Sequence, residues 1–150
     1  MIKWKVRLLR PDSHKRVSGI PGAIRPRGFN GIPRTVMLTN DYKNLHGNAV
    51  KLLMALIHQY RGHNNGDLTA AYSVMNKWGF RSKQTLANAL KTLLDSGMII
   101  QTRTGLFLNP GGRCALYALA WQTIDECPGK GLEVKPTRVP PRKFSTEQNK

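Results

Sequence analysis

"GFRSKQTLANALKTLLDSGMIIQTR", residues 79–103, carries a whole helix and the start of a strand in one run. Leu86, Ala89, Leu90, Leu93 and Leu94 recur at the three- and four-residue spacing of one helical face. Ser82 stands where a hydroxyl can accept from a first-turn amide, and Gly97 stands where a left-handed residue stops the helix. At about 100° per residue, Gln84, Asn88 and Lys91 fall opposite the leucines, Thr85 and Thr92 on one shoulder, and Lys83 near the N-terminal end. Any solvated helix face carries such side chains, so the stripe alone predicts only an amphipathic helix.

The neighbouring segments give that helix a context. Upstream, "TAAYSVMNKWG" predicts a short helix capped by Thr69, with Ala71, Val74, Met75 and Trp78 on one face and Gly79 ending it. "NAVKLLMALIHQYRG" predicts a longer helix over 48–60, in which Val50, Leu53, Met54, Ile57 and Tyr60 form a stripe that Leu52 and Leu56 widen. Lys51, Ala55, His58 and Gln59 fall on its other side, and a helix this apolar is either central to its domain or shared with a partner. "TNDYKNLHG" reads as a short helical turn capped by Thr39 or Asn40, and "RGHNNGD" as a turn in which Asn and Gly tolerate positive φ. Downstream, "MIIQTR" and "ALYALAW" predict a hairpin with a long Gly/Pro-rich tip, with Tyr117, Leu119 and Trp121 on one face. The fold class expected is mainly α with a small β-hairpin.

Both ends differ from this middle. Residues 1–34 are punctuated by four Pro and four Gly, which predicts a largely extended arm. Residues 128–150 are Pro-rich with little periodicity and predict a mobile tail, leaving residues 35–127 as the folded domain. The chain carries 24 Lys+Arg against 8 Asp+Glu, a formal charge of +16. Residues 1–34 hold nine Lys/Arg and one Asp, and residues 128–150 hold six Lys/Arg and two Glu, so most of the excess lies on the flanks. An excess of this size opposes compaction and points to a polyanionic partner.

Several classes are disfavoured. No apolar run approaches the ~20 residues that span a bilayer, and the N-terminus lacks the apolar core of a signal peptide, so no membrane partner is expected. Two cysteines predict a reduced, cytoplasmic chain, not a disulfide scaffold. His58, His63, Cys114 and Cys127 lack zinc-site spacing, and no metal or other cofactor is expected. Asp125 and Glu126 are the sole adjacent carboxylates, and no phosphate loop, serine elbow or histidine-carboxylate set appears, so the reading is of a non-enzyme.

"MNKWGFRSKQTLANALKTLLDSGMI", an apolar helix ending in Gly, then a capped helix with Thr-apolar-x-x-Ala-Leu, then Leu-x-x-x-Gly-x-Ile, resembles the winged helix-turn-helix family. The resemblance covers residues 36–121; "YRGHNNGDL" and "KPTRVPPRKF" add a likeness to small winged-helix proteins of bacterial prophages and integrating elements. It implies double-stranded DNA as the partner, a nucleoid-associated place in a bacterial cytoplasm, and a role in transcription regulation or replication of a mobile element. A helix fits the major groove, where Asn and Gln amides pair with adenine and Lys with guanine. Gln84, Asn88 and Lys91 are thus the candidate base readers, with Arg81, Ser82, Lys83, Thr85, Arg103 and Arg113 as candidate backbone contacts. The basic flanks would add affinity without discrimination. A homodimer on a palindromic site and a protein partner for the tail are compatible with this reading.

Two readings compete. A winged-helix adaptor would dock a protein through the broad apolar arc containing Leu52 and Leu56. RNA would suit the basic arms, although its deep A-form groove would not admit the helix over 82–95.

Overall fold

The structure is a computed structural model, and it describes residues 30–144; the arm over 1–29 and the end of the tail over 145–150 lie outside the described residues. The architecture is mixed α/β, mostly helical, with one small three-stranded sheet. Two single-turn helices, α1 (Arg34–Met37) and α2 (Asn40–Lys43), lead into α3 (Gly47–Gln59). A two-residue strand β1 (Leu68–Thr69), the short helix α4 (Tyr72–Met75) and a 3-10 turn (Asn76–Trp78) follow. Helix α5 (Lys83–Asp95) then enters strands β2 (Ile99–Arg103) and β3 (Leu116–Leu119).

Helix α3 is the centre of the domain. Ala49, Leu52, Leu53, Ala55 and Leu56 are all fully buried, each large aliphatic contributing about 1.5–3 kcal/mol of transfer free energy. Ala55, expected on the polar side, is buried because core packs around more of the helix than one stripe. Leu52 and Leu56, the docking arc of the adaptor reading, are spent in the chain's own core and offer no surface to a partner. His46 starts the helix, its Nδ1 accepting from the Ala49 amide at 3.3 Å. Of the two candidate caps, Thr39 and Asn40, it is Thr39 that caps α2, through the Tyr42 amide.

The sheet corrects two expectations. Its order is β1-β3-β2, all antiparallel, so β3 is central and the hairpin has a third strand. Thr69 belongs to β1, pairing with Leu116, and does not cap a helix; its hydroxyl accepts instead from the Ala71 amide at 3.2 Å. The predicted helix over 69–78 is therefore shortened to α4 and the 3-10 turn. All four residues of β3, the central strand, are buried, so alternation does not separate a wet face from a dry one. Trp121 lies past the strand and meets Phe144 edge-on at 6.3 Å. Between Gln101 and Arg103 the register shifts, leaving Thr102 as the extra residue of a bulge; it is fully buried and its hydroxyl donates to the Gly66 carbonyl at 2.6 Å.

Asn65 is the polar hub of this layer. Fully buried, it donates to the carbonyls of Leu119, Gln122 and Thr123 and accepts from the Leu119 amide at 2.7 Å. The segment "RGHNNGD" is thus a turn, but the described residues contain no non-glycine positive φ, and Asn65 serves tertiary bonding.

Residues 128–144, expected as the start of a mobile tail, run back over the domain. The Glu133 amide donates to Thr102 at 2.8 Å, the Thr137 amide to Ile124 and the Arg142 amide to Ala120, both at 3.0 Å. Phe144 is 3% exposed within the core. Prolines forbid regular ladders along this stretch, yet an extended chain can still pack by its side chains and isolated amides.

Candidate nucleic-acid interface

Helix α5 is held by its leucine stripe. Leu86, Ala89 and Leu93 are buried, while Lys83, Gln84, Ala87, Asn88 and Lys91 are exposed. Ser82 caps the helix by accepting from the Thr85 amide at 3.3 Å. Thr85 and Thr92 lie half-buried on the shoulder; the Thr92 hydroxyl donates to the Asn88 carbonyl at 2.9 Å and meets His46 Nε2 at 3.0 Å. That contact joins the beginning of α3 to the middle of α5.

The outward side chains are organised among themselves. Gln84 Nε2 donates to Asn88 Oδ1 at 2.9 Å, and Lys91 Nζ meets Asp95 Oδ2 at 2.6 Å. Both contacts join residues four apart on the helix surface, where such pairs are worth only a few tenths of a kcal/mol, about 0.2–0.5. They set rotamers without committing the groups, since an incoming acceptor or donor of equal strength replaces them.

The turn before α5 is built from close contacts. Gly79 has φ +88°, and a Cβ there would come within 2.6 Å of Lys51 Nζ. Phe80 is buried under that ammonium, which stands 5.5 Å from the ring centroid. Arg81 and Ser82 are exposed, as a phosphate contact would require. Tyr72, to which sequence reasoning assigned no role, braces this turn: its hydroxyl donates to the Arg81 carbonyl at 3.0 Å. Its ring lies 5.7 Å from Lys83 Nζ, within cation–π range. An aromatic eleven residues upstream of a basic helix start is a weak signal, because only the fold brings the two together.

The two arginines of the hairpin each have partners within the chain. Arg103 donates from Nε and Nη2 to the Cys114 carbonyl, at 3.0 and 2.7 Å, and from Nη1 to the Lys130 carbonyl at 2.6 Å. Arg113 donates from Nε to the Thr104 carbonyl at 3.2 Å and from Nη2 to Glu133 at 2.7 Å. Each guanidinium therefore brings the base of the hairpin together with the returning chain. The Glu133 carboxyl is held below its ordinary range, first by the Thr104 hydroxyl and amide, then by Arg113 and Arg103.

Beyond this brace, Leu106 and Arg113 exchange a pair of 2.9 Å backbone bonds, and the tip over 107–112 projects. Between the tip, Tyr72 and Lys83 lies an open cleft of about 700 Å³, floored by Ala70, Ala71, Ala115 and Tyr117. Its described lining contains Lys83 and Arg113 and no carboxylate.

Besides His46, exposed His58 meets the Trp78 ring edge-on at 5.1 Å and lies 3.0 Å from Asn30 Nδ2 through its Nδ1. Among the described residues no three His, Cys, Asp or Glu side chains gather into a metal-holding group, and no helix is long and apolar enough to cross a membrane. No protein-family model, curated protein or solved structure matches the chain.

Proposed function

We propose that this chain binds double-stranded DNA sequence-specifically as a winged helix-turn-helix protein. In this reading α4 and α5 form the helix-turn-helix, β2 and β3 the wing, and the work is regulation or replication of a mobile element. The observation that carries it is the exposed Gln84, Asn88 and Lys91 face of α5, anchored by buried leucines and launched from a capped turn.

The physical fit is specific. A groove about 12 Å wide admits a helix whose protruding side chains are short, and Ala87 keeps the face between Gln84 and Asn88 low. Breaking the Gln84–Asn88 bond gives each amide a free donor and acceptor, the set adenine requires. Lys83, Arg81 and the Ser82 cap lie where a phosphate beside the helix start would sit. Arg103 and Arg113 act in this reading as braces of the wing, their donors being engaged within the chain.

The test is selection of bound sequences from random duplex DNA at about 150 mM salt, where screening suppresses contacts made by charge alone. A recurring sequence is expected, and Gln84→Ala with Asn88→Ala should abolish the preference while leaving non-specific binding nearly unchanged. Equal loss on every duplex would refute the assignment of these residues.

A further inference from the structure

Six large hydrophobic side chains are exposed among the described residues, and three of them are consecutive at the wing tip: Leu106, Phe107 and Leu108. Phe107 is wholly exposed, and Leu108 is 59% exposed. Contiguous exposed apolar side chains of this kind mark a contact site. The stalk beneath them is cross-bonded. Both backbone bonds of the Leu106–Arg113 bridge are formed, and the Arg103 and Arg113 guanidiniums tie its base. Gly112 keeps the two sides close, since a Cβ there would meet the Leu108 carbonyl oxygen at 3.0 Å.

We propose that the tip is an apolar wedge: Phe107, backed by Leu108, enters the minor groove beside the α5 site and pries a base step apart, bending the duplex. This rests on the DNA-binding reading and names how its wing works. Phe and Leu are among the side chains that partly unstack base steps from the minor groove, and unstacking bends DNA toward the major groove. The occupant is argued from charge and continuity. The cleft between tip and α5 is lined mainly by apolar side chains, Leu106, Phe107 and Leu108 among them, with Lys83 at its α5 edge and no carboxylate in its lining, so a phosphate strand would meet Lys83 at the rim while the tip meets the bases. Lys83 is also the first residue of α5, so one cleft joins the wedge to the base-reading helix. A second copy of the chain would bring another +16 to the same place.

The experiment uses the full chain and a duplex bearing the selected sequence, with 2-aminopurine at successive steps on either side. Binding should raise the fluorescence at one flanking step several-fold, and energy transfer between the duplex ends should report a bend. Phe107→Ala with Leu108→Ala should remove both signals and weaken binding about tenfold, with the preferred sequence unchanged. Phe107→Trp should restore the unstacking. Bound duplex with no unstacked step, or unstacking that survives the double substitution, overturns the wedge and leaves the α5 reading standing. A selection that returns no preferred sequence removes the α5 reading, and the wedge with it. Phosphatidylserine vesicles serve as the parallel arm. Vesicle binding lost on Phe107→Ala, with duplex binding and unstacking unaltered, assigns the tip to a membrane surface and also overturns the wedge.

Discussion

Arg142 Nη1 donates to the Ser96 carbonyl oxygen at 2.7 Å, joining residues 46 positions apart. Ser96 closes α5, so the returning chain is fastened to the end of the candidate reading helix. Nη2 of the same guanidinium pairs with Asp41 at 2.6 Å, and its Cζ lies 4.3 Å from the Phe144 ring centroid.

Phe144→Ala should therefore destabilise the domain by about 3 kcal/mol, the usual loss for a buried ring. Arg142→Ala should cost less, about 1–2 kcal/mol, because its partners are partly wet. Urea unfolding followed by tryptophan fluorescence reads both. A change under about 0.5 kcal/mol for Phe144→Ala would mean that residues 128–144 do not hold the core.

Asn65→Ala should be among the most damaging polar substitutions. It strands the buried Leu119 amide and takes a donor from the Leu119, Gln122 and Thr123 carbonyls, of which the first keeps the Gln122 amide, a cost of about 2–4 kcal/mol. Thermal unfolding would show it as a Tm lowered by about 6–24 °C, at about 3–6 °C per kcal/mol for a domain between the 100- and 150-residue ranges.

Asp95→Asn should leave stability within about 0.5 kcal/mol, since Lys91 and Asp95 are 76% and 63% exposed. The substitution frees the Lys91 ammonium and removes a negative charge from the face proposed to meet phosphates. Affinity for duplex DNA should rise about three- to tenfold at low salt and converge with the parent as salt increases. Unaltered affinity at low salt would place this side of α5 away from the nucleic acid.

Glu133 gives the base of the β2–β3 hairpin an acid limit. Its carboxyl titrates below its ordinary value in the folded chain. The stabilisation is therefore complete above the unfolded carboxyl range, about pH 4.3, and is lost as pH falls through the lower folded value. Amide exchange at Thr104, which donates to Glu133 at 3.1 Å, should accelerate across that fall. Glu133→Gln should exchange at Thr104 without this acid transition, and an identical pH profile in both chains would contradict the contact.

What the sequence alone determined is local. The Ser82 and Thr39 caps and the left-handed Gly79 and Gly97 depend on a few neighbouring residues. The leucine stripe of α5 likewise dictates which side chains face outward, and Gln84, Asn88 and Lys91 are exposed accordingly. Tertiary structure decided everything that joins distant positions. It drew Thr69 into a sheet, buried Ala55 on the side read as polar, and turned Arg103 and Arg113 inward to carbonyls and Glu133. It also folded Phe144 into the core. The reason is physical: a cap or a helical stripe is specified by residue types within a turn or two. A backbone carbonyl, by contrast, is offered by every residue, so which arginine finds which carbonyl leaves no mark on the sequence.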